Sequence, residues 1–197
     1  LPQPGQGVGF LQKAGQPWLG SQTGTGPLQT QETSYARQQR IKALEQERQI
    51  EAVTGELHRK TEIPVVVVTV PDIEGAEYTE YANRLYEAWG IGRKGEDKGV
   101  LLFVTVRERK MRIEVGYGVE GVIPDGLAGE IRDQYMIPYL KKDQYGEALL
   151  YGAVAVARIL AKSENVELTG ETPVSSQTRS PESGGGLFSL LPILLVV

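Results

Sequence analysis

The stretch Val100-Leu101-Leu102-Phe103-Val104-Thr105-Val106, then Arg107-Glu108-Arg109, then Lys110-Met111-Arg112-Ile113-Glu114-Val115-Gly116, decides the fold of this chain. Successive side chains of a strand point to opposite faces, so a run that is apolar at both parities is a strand covered on both sides. Arg107-Glu108-Arg109 makes a polar turn. Beyond it Met111, Ile113 and Val115 alternate with Arg112 and Glu114, which predicts an antiparallel strand over 110–116 with one face less buried.

Working outward, Ile63-Pro64-Val65-Val66-Val67-Val68-Thr69-Val70 is a second buried strand, ended by Pro71-Asp72. Between the two runs, Tyr78, Ala82, Leu85, Tyr86 and Trp89 recur at i, i+4, i+7, i+8 and i+11, the spacing of one helical face. Gly90 closes that helix. Strand–helix–strand crossovers are right-handed and place their strands parallel, so 63–70 and 99–106 run side by side in the same direction. Residues 33–60, rich in Arg, Lys, Glu, Gln and Ala, read as a long helix. Its apolar residues Ala43, Ile50, Val53 and Leu57 share a side, while Ile41 and Leu44 fall on another. Asp125 is placed to cap a helix carrying Leu127, Ala128, Ile131 and Tyr135, and Asp143 one carrying Tyr145, Leu149, Val156 and Leu160. The fold class is therefore α/β, a three-layer α/β/α sandwich around a small mixed sheet.

This topology has a consequence for function. The end of the third strand, Gly116, returns beside Asp97-Lys98-Gly99. The loops 90–98 and 116–125 then share one rim of the sheet, and Asp72 and Glu74 sit at the other. The first rim collects Glu96, Asp97, Glu120 and Asp125, with Glu130 and Asp133 on the helix that follows. Carboxylates and loop carbonyls are the ligands that hard divalent cations take, so this acidic rim is a candidate metal site. The opposing reading is that Asp125 only caps its helix and the others are solvated surface acids.

Several classes are excluded or disfavoured by composition. The 197 residues contain no Cys and one His (His58), which removes disulfides, thiolate zinc sites and cysteine nucleophiles. With 21 Lys+Arg against 25 Asp+Glu, the net charge is −4, without the basic face that nucleic-acid binding needs. Gly116-Tyr117-Gly118-Val119-Glu120-Gly121 matches G-x-G-x-x-G after a strand. A dinucleotide fold needs the helix to open at the third glycine, and Ile123-Pro124-Asp125 delays it. No nucleotide is expected, and the glycines read instead as a tight backbone loop. Arg93, Lys94 and Lys98 could clamp a phosphate beside a divalent ion, but neither a G-x-S-x-G elbow nor a P-loop supplies the rest of such a site. His58, late in the first helix, reads as a helix-end residue.

Around this core the composition shifts. Residues 1–32 form an extended Gly/Pro/Gln-rich arm whose first thirty positions carry one charge, Lys13. Phe10, Leu11, Trp18 and Leu19 could anchor it to a partner or back onto the domain. The α/β domain covers 33–165, and 166–186 is a Ser/Thr/Pro/Gly linker. The run 187–197, from Leu187 to Val197, is uncharged and shorter than the roughly 20 residues a bilayer requires. It reads as the start of a membrane-anchoring segment. A first residue that is Leu fits loss of an export signal, as it fits a shortened chain.

Trp89-Gly90-Ile91-Gly92, Asp97-Lys98-Gly99-Val100-Leu101-Leu102 and Arg112-Ile113-Glu114-Val115-Gly116-Tyr117-Gly118-Val119-Glu120-Gly121, in that order, resemble the TPM-domain family. Pro138 and Tyr145-Gly146-Glu147-Ala148-Leu149 continue the likeness, which covers about residues 40–162. The Asp-containing segment that usually leads into the family's first helix has no counterpart in residues 1–40. The resemblance implies an exported α/β/α sandwich, often followed by one transmembrane helix. It is similar to thylakoid-lumen proteins implicated in photosystem maintenance and to a modulator of an acetylcholine receptor. It also implies calcium or a related divalent ion for some members, at positions corresponding to Asp97, Glu120 and Asp125, and acid phosphatase activity for others.

Three functions follow as expectations. The first is a non-catalytic accessory subunit, anchored in the lipid bilayer with its domain on the extracytoplasmic side, periplasmic or lumenal. There its arm and loop rim would contact a larger membrane protein complex, a photosynthetic one by family analogy. The second is a divalent-metal-dependent acid phosphatase, and the third a calcium-responsive binding module.

Overall fold

In a computed structural model of the chain, the described residues are 33–92 and 95–169. The arm at 1–32, Arg93 and Lys94, the linker beyond 169 and the apolar end at 187–197 lie outside them. The elements are α1 (Ser34–Thr61), β1 (Val65–Val70), α2 (Tyr78–Trp89), β2 (Val100–Thr105) and β3 (Lys110–Val115), then α3 (Asp125–Ile131), α4 (Ile137–Leu140) and α5 (Tyr145–Ser163). A 3-10 turn (Tyr117–Val119) follows β3, and a π-turn (Arg132–Met136) joins α3 to α4.

The three strands lie in the order β1-β2-β3. β1 and β2 are parallel, with Val65 opposite Val100 and Val70 opposite Thr105. β2 and β3 are antiparallel, with Val100 opposite Val115 and Thr105 opposite Lys110. The central strand is buried along its whole length, as its continuous apolar run requires. One face of the sheet, with Val65, Val67, Val100, Leu102, Val104 and Ile113, packs on α1, α3 and α5. The other, with Val68, Leu101 and Phe103, packs on α2 through Ala82, Leu85 and Tyr86. Helices on both faces make three layers.

α1 starts at a Thr33 cap, whose Oγ1 accepts from the Ala36 N–H at 3.2 Å. It buries Gln46, Ile50, Val53 and Leu57, one stripe at i, i+4, i+7 and i+11. Burial of each apolar member contributes about 2 kcal/mol. The opposite side keeps Ile41 and Leu44 exposed. α5 is apolar through most of its girth and runs parallel to α1. Lys42 pairs with Glu147 near the start of α5, and Lys60 Nζ donates to the Glu167 carbonyl past its end at 2.7 Å. The chain stays on the domain for the first residues of the linker. Val166 and Leu168 pack against the core, and the buried carboxylate of Glu56 accepts from the Thr169 N–H at 2.9 Å and its hydroxyl at 2.8 Å.

Two expected caps are corrected. Asp125 is the first residue of α3, not its cap; Pro124 occupies the cap position and no side chain bonds there. Asp143 does not cap α5, whose cap position is Gln144. Its carboxylate instead pairs with Arg109 at 3.0 Å. The expected stripe 127, 128, 131, 135 breaks at its last member as well. The π-turn inserts one residue into the helical phase, so Met136 enters the core fully buried while Tyr135 stays exposed.

An acidic cleft at the sheet rim as candidate functional site

Hydrogen bonding within the strands dictates how the rim is built. Past the end of β3, the Gly116 N–H donates to the Gly99 carbonyl at 2.9 Å, and the Gly118 N–H to the Asp97 carbonyl at 3.1 Å. These bonds sew the 95–99 loop to the turn after β3. The approach is close enough to require glycine. A Cβ on Gly116 would collide with the Asp97 carbonyl and the Tyr86 hydroxyl, and one on Gly118 with the Glu96 carbonyl. The first two glycines of the G-x-G-x-x-G run thus serve backbone packing, and the helix that follows opens only at Asp125.

Asp97 is the junction of this rim. It sits at φ 49°, the left-handed region that Asp enters more readily than most residues. From there its Oδ1 accepts from the Tyr86 hydroxyl at 3.0 Å and its Oδ2 from the Tyr117 N–H at 3.1 Å. Burial, and then the hydrogen bond to Asp97, push the Tyr86 phenol well above its usual pKa. Tyr86 is therefore both a core residue of α2 and the donor that fixes the rim.

The result is a cleft of about 450 Å³ between α2, the 90–97 loop and the end of β3. Four carboxylates line it: Glu87, Asp97, Glu114 and Glu120. The structure thus brings together two of the three residues the sequence singled out, Asp97 and Glu120. Asp125, exposed at the start of α3, is not part of the lining. Glu96, Glu130 and Asp133 also lie outside it, Asp133 being paired with Arg132 at 2.7 Å. Among the described residues, no three His, Cys, Asp or Glu side chains converge as a metal-holding group. The donor type suits a hard divalent cation, since the cleft offers carboxylates and irregular backbone, but the described side chains do not form a ready cage.

The sequence reading missed Glu87 and Glu114. Both were within reach of it: Asn83, Tyr86, Glu87 and Gly90 follow at i, i+3, i+4 and i+7 on the last turns of α2. Glu114 pairs across the ladder with Leu101, on the sheet face that α2 covers. There it takes an ion pair from Arg112 at 2.9 Å. The far rim is arranged as expected. Asp72 bonds the Glu74 N–H at 3.1 Å, and Glu108 accepts from the Ile73 N–H at 3.3 Å.

These features define a class: a three-layer α/β/α domain in which two glycine-bearing loops close an acid-lined cleft at one rim of a mixed sheet. Residues 38–159 match the model of the TPM domain, more than half of the chain, which belongs to the TPM-domain family. Among solved structures, the N-terminal domain of a protein from P. gingivalis, determined by solution NMR, is similar at 32% identity. The match covers 62% of this chain and 78% of that one with a TM-score of 0.58. The BA42 protein of the psychrophilic bacterium Bizionia argentinensis shares the fold at 19% identity, over 60% and 80% of the two chains, with a TM-score of 0.52. Among curated proteins none matches significantly. No helix of the described residues is long and apolar enough to cross a membrane.

Proposed function

We propose that the chain is a non-catalytic accessory domain, held on the extracytoplasmic side of a membrane by its apolar C-terminal segment. It would bind a larger membrane protein complex through the loop rim around the acidic cleft. What supports the non-catalytic part is the state of the cleft's groups: both Asp97 oxygens accept hydrogen bonds from the rim itself. The described lining holds no Ser, Thr, Cys, His, Lys or Arg. Covalent phosphoryl or acyl transfer needs an activated nucleophile beside a base. Tyr86, with its pKa raised, is a poor nucleophile. The described lining thus offers no side-chain nucleophile. The phosphatase reading, a word that the family model's name carries, would have to run through a metal-activated water and so depends on the cation of the second reading.

A divalent cation in the cleft is the second reading, favoured by a lining whose charged groups, among the described residues, are all carboxylates. Asp97 and Glu120 would hold calcium or a similar ion with help from Glu87 or Glu114. The ion would supply positive charge toward an acidic group of the partner.

Isolation from native membranes tests the first reading. The protein with its apolar segment intact should co-isolate with a membrane complex, and Glu120→Lys should reduce recovery several-fold. Recovery of the wild-type chain alone would sink the proposal. Calcium should raise the thermal midpoint of wild type and not of Asp97→Asn. Hydrolysis of p-nitrophenyl phosphate that vanishes in Asp97→Asn would restore the phosphatase reading.

A further inference from the structure

α1 carries a second stripe that the fold does not use. Arg37, Ile41, Leu44 and Arg48 follow at i, i+4, i+7 and i+11 on the side opposite Gln46, Ile50, Val53 and Leu57. Ile41 is 59% exposed and Leu44 56% exposed. α5 begins alongside Lys42 and Gln46, so the first two turns of α1 project past it. Single exposed apolar residues are ordinary. Here two adjacent ones stand on a helix face that is otherwise charged, framed by guanidinium groups.

We infer that this stripe is the docking site of the chain's own arm, seated through Trp18 and Leu19. The arm joins α1 directly at Thr33, and about fourteen residues separate Leu19 from that point. Fully extended they reach about 48 Å, and as a Gly-rich coil they span about 20 Å. Leu44 lies about 16 Å along the helix from Thr33. A tether whose coil length matches the distance to its site gives the largest effective concentration, on the order of millimolar for short linkers. A contact of two or three side chains, too weak between separate molecules, is then populated within one. The chemistry also agrees. The segment's apolar pair suits Ile41 and Leu44, and an indole ring suits the planes of arginine side chains. The segment itself carries no like charge to oppose Arg37. This inference stands apart from the cleft, and its success or failure leaves the functional reading untouched.

Tryptophan fluorescence of the full chain tests it. The chain has two Trp, so Trp89→Phe leaves Trp18 as sole reporter. The expected result is blue-shifted emission that is independent of protein concentration. The double change Ile41→Glu/Leu44→Glu should move it to the emission of exposed Trp, with helix content by circular dichroism unchanged. Tyr35→Glu, on the other side of the projecting turns, should leave it in place. Emission of exposed Trp in the parent, or a blue shift indifferent to Ile41→Glu/Leu44→Glu, overturns the inference. A blue shift lost on dilution assigns the stripe to a second copy instead, and one seen only with anionic vesicles assigns it to a lipid surface.

Discussion

The hydroxyl of Tyr86, on the last turn of α2, donates to Oδ1 of Asp97 at 3.0 Å. This bond ties the helical layer to the loop that closes the rim, eleven residues further along the chain. It also positions Asp97 so that its second oxygen takes the Tyr117 N–H. One carboxylate therefore couples α2, the 95–99 loop and the turn after β3.

Tyr86→Phe keeps the ring packing and removes the donor. A hydrogen bond to a charged acceptor is worth about 1.5–3 kcal/mol, so urea denaturation should show a loss in that range with an unchanged slope. A loss below about 0.5 kcal/mol would mean that water replaces the phenol without cost.

Gly116→Ala should be among the most damaging small changes in the chain. Its added methyl meets the Asp97 carbonyl and the Tyr86 hydroxyl, and relief requires moving backbone, at a cost of about 3 kcal/mol. Gly121, in the same glycine run, has open space around a Cβ. Gly121→Ala should stay within about 1 kcal/mol of wild type. Equal effects at the two positions would contradict the packing role assigned to Gly116.

The π-turn makes a test of its own. Met136 is fully buried and Tyr135 is not, so Met136→Ala should cost about 2–5 kcal/mol and Tyr135→Ala under about 1 kcal/mol. Thermal or urea unfolding of the two variants distinguishes this phase from an uninterrupted α-helix, which would reverse the order.

Stability should also respond to acid through Glu147. Burial alone would raise its pKa, but hydrogen bonds from Lys42, its own backbone and Gln46 outweigh burial and hold it below its ordinary value of 4.5. A depressed carboxylate contributes stability that is present above the unfolded value and lost as pH falls through the folded one. Wild type should therefore weaken as pH drops below about 4.5. Glu147→Gln should flatten part of that slope in denaturation curves measured across pH 2–6. An unchanged slope would remove Glu147 as its source.

Much of the fold could be read before any coordinates. β2 and β3 announce themselves because a strand's burial pattern is local: whether both parities are apolar or only one is written in six or seven consecutive residues. The parallel pairing of β1 with β2 followed from chirality, and the meeting of the 90–98 and 116–125 loops followed from the hairpin. Local pattern also separated Ile41 and Leu44 from the buried side of α1, because the period of 3.6 residues is fixed by the backbone.

What only the tertiary structure decided are the relations between residues far apart in the chain. Asp125 and Asp143 had the composition of caps, yet the chain entered each helix one residue away, because cap geometry depends on the loop before the helix. Met136 displaced Tyr135 because a single π-turn, just ahead of Pro138, shifted the phase. Glu87 and Glu114 joined Asp97 and Glu120 because the cleft's walls come from a helix end and a strand end that meet only when the sheet is closed. Local periodicity says which way a side chain faces on its own element, while the shape of a cleft depends on distances between elements.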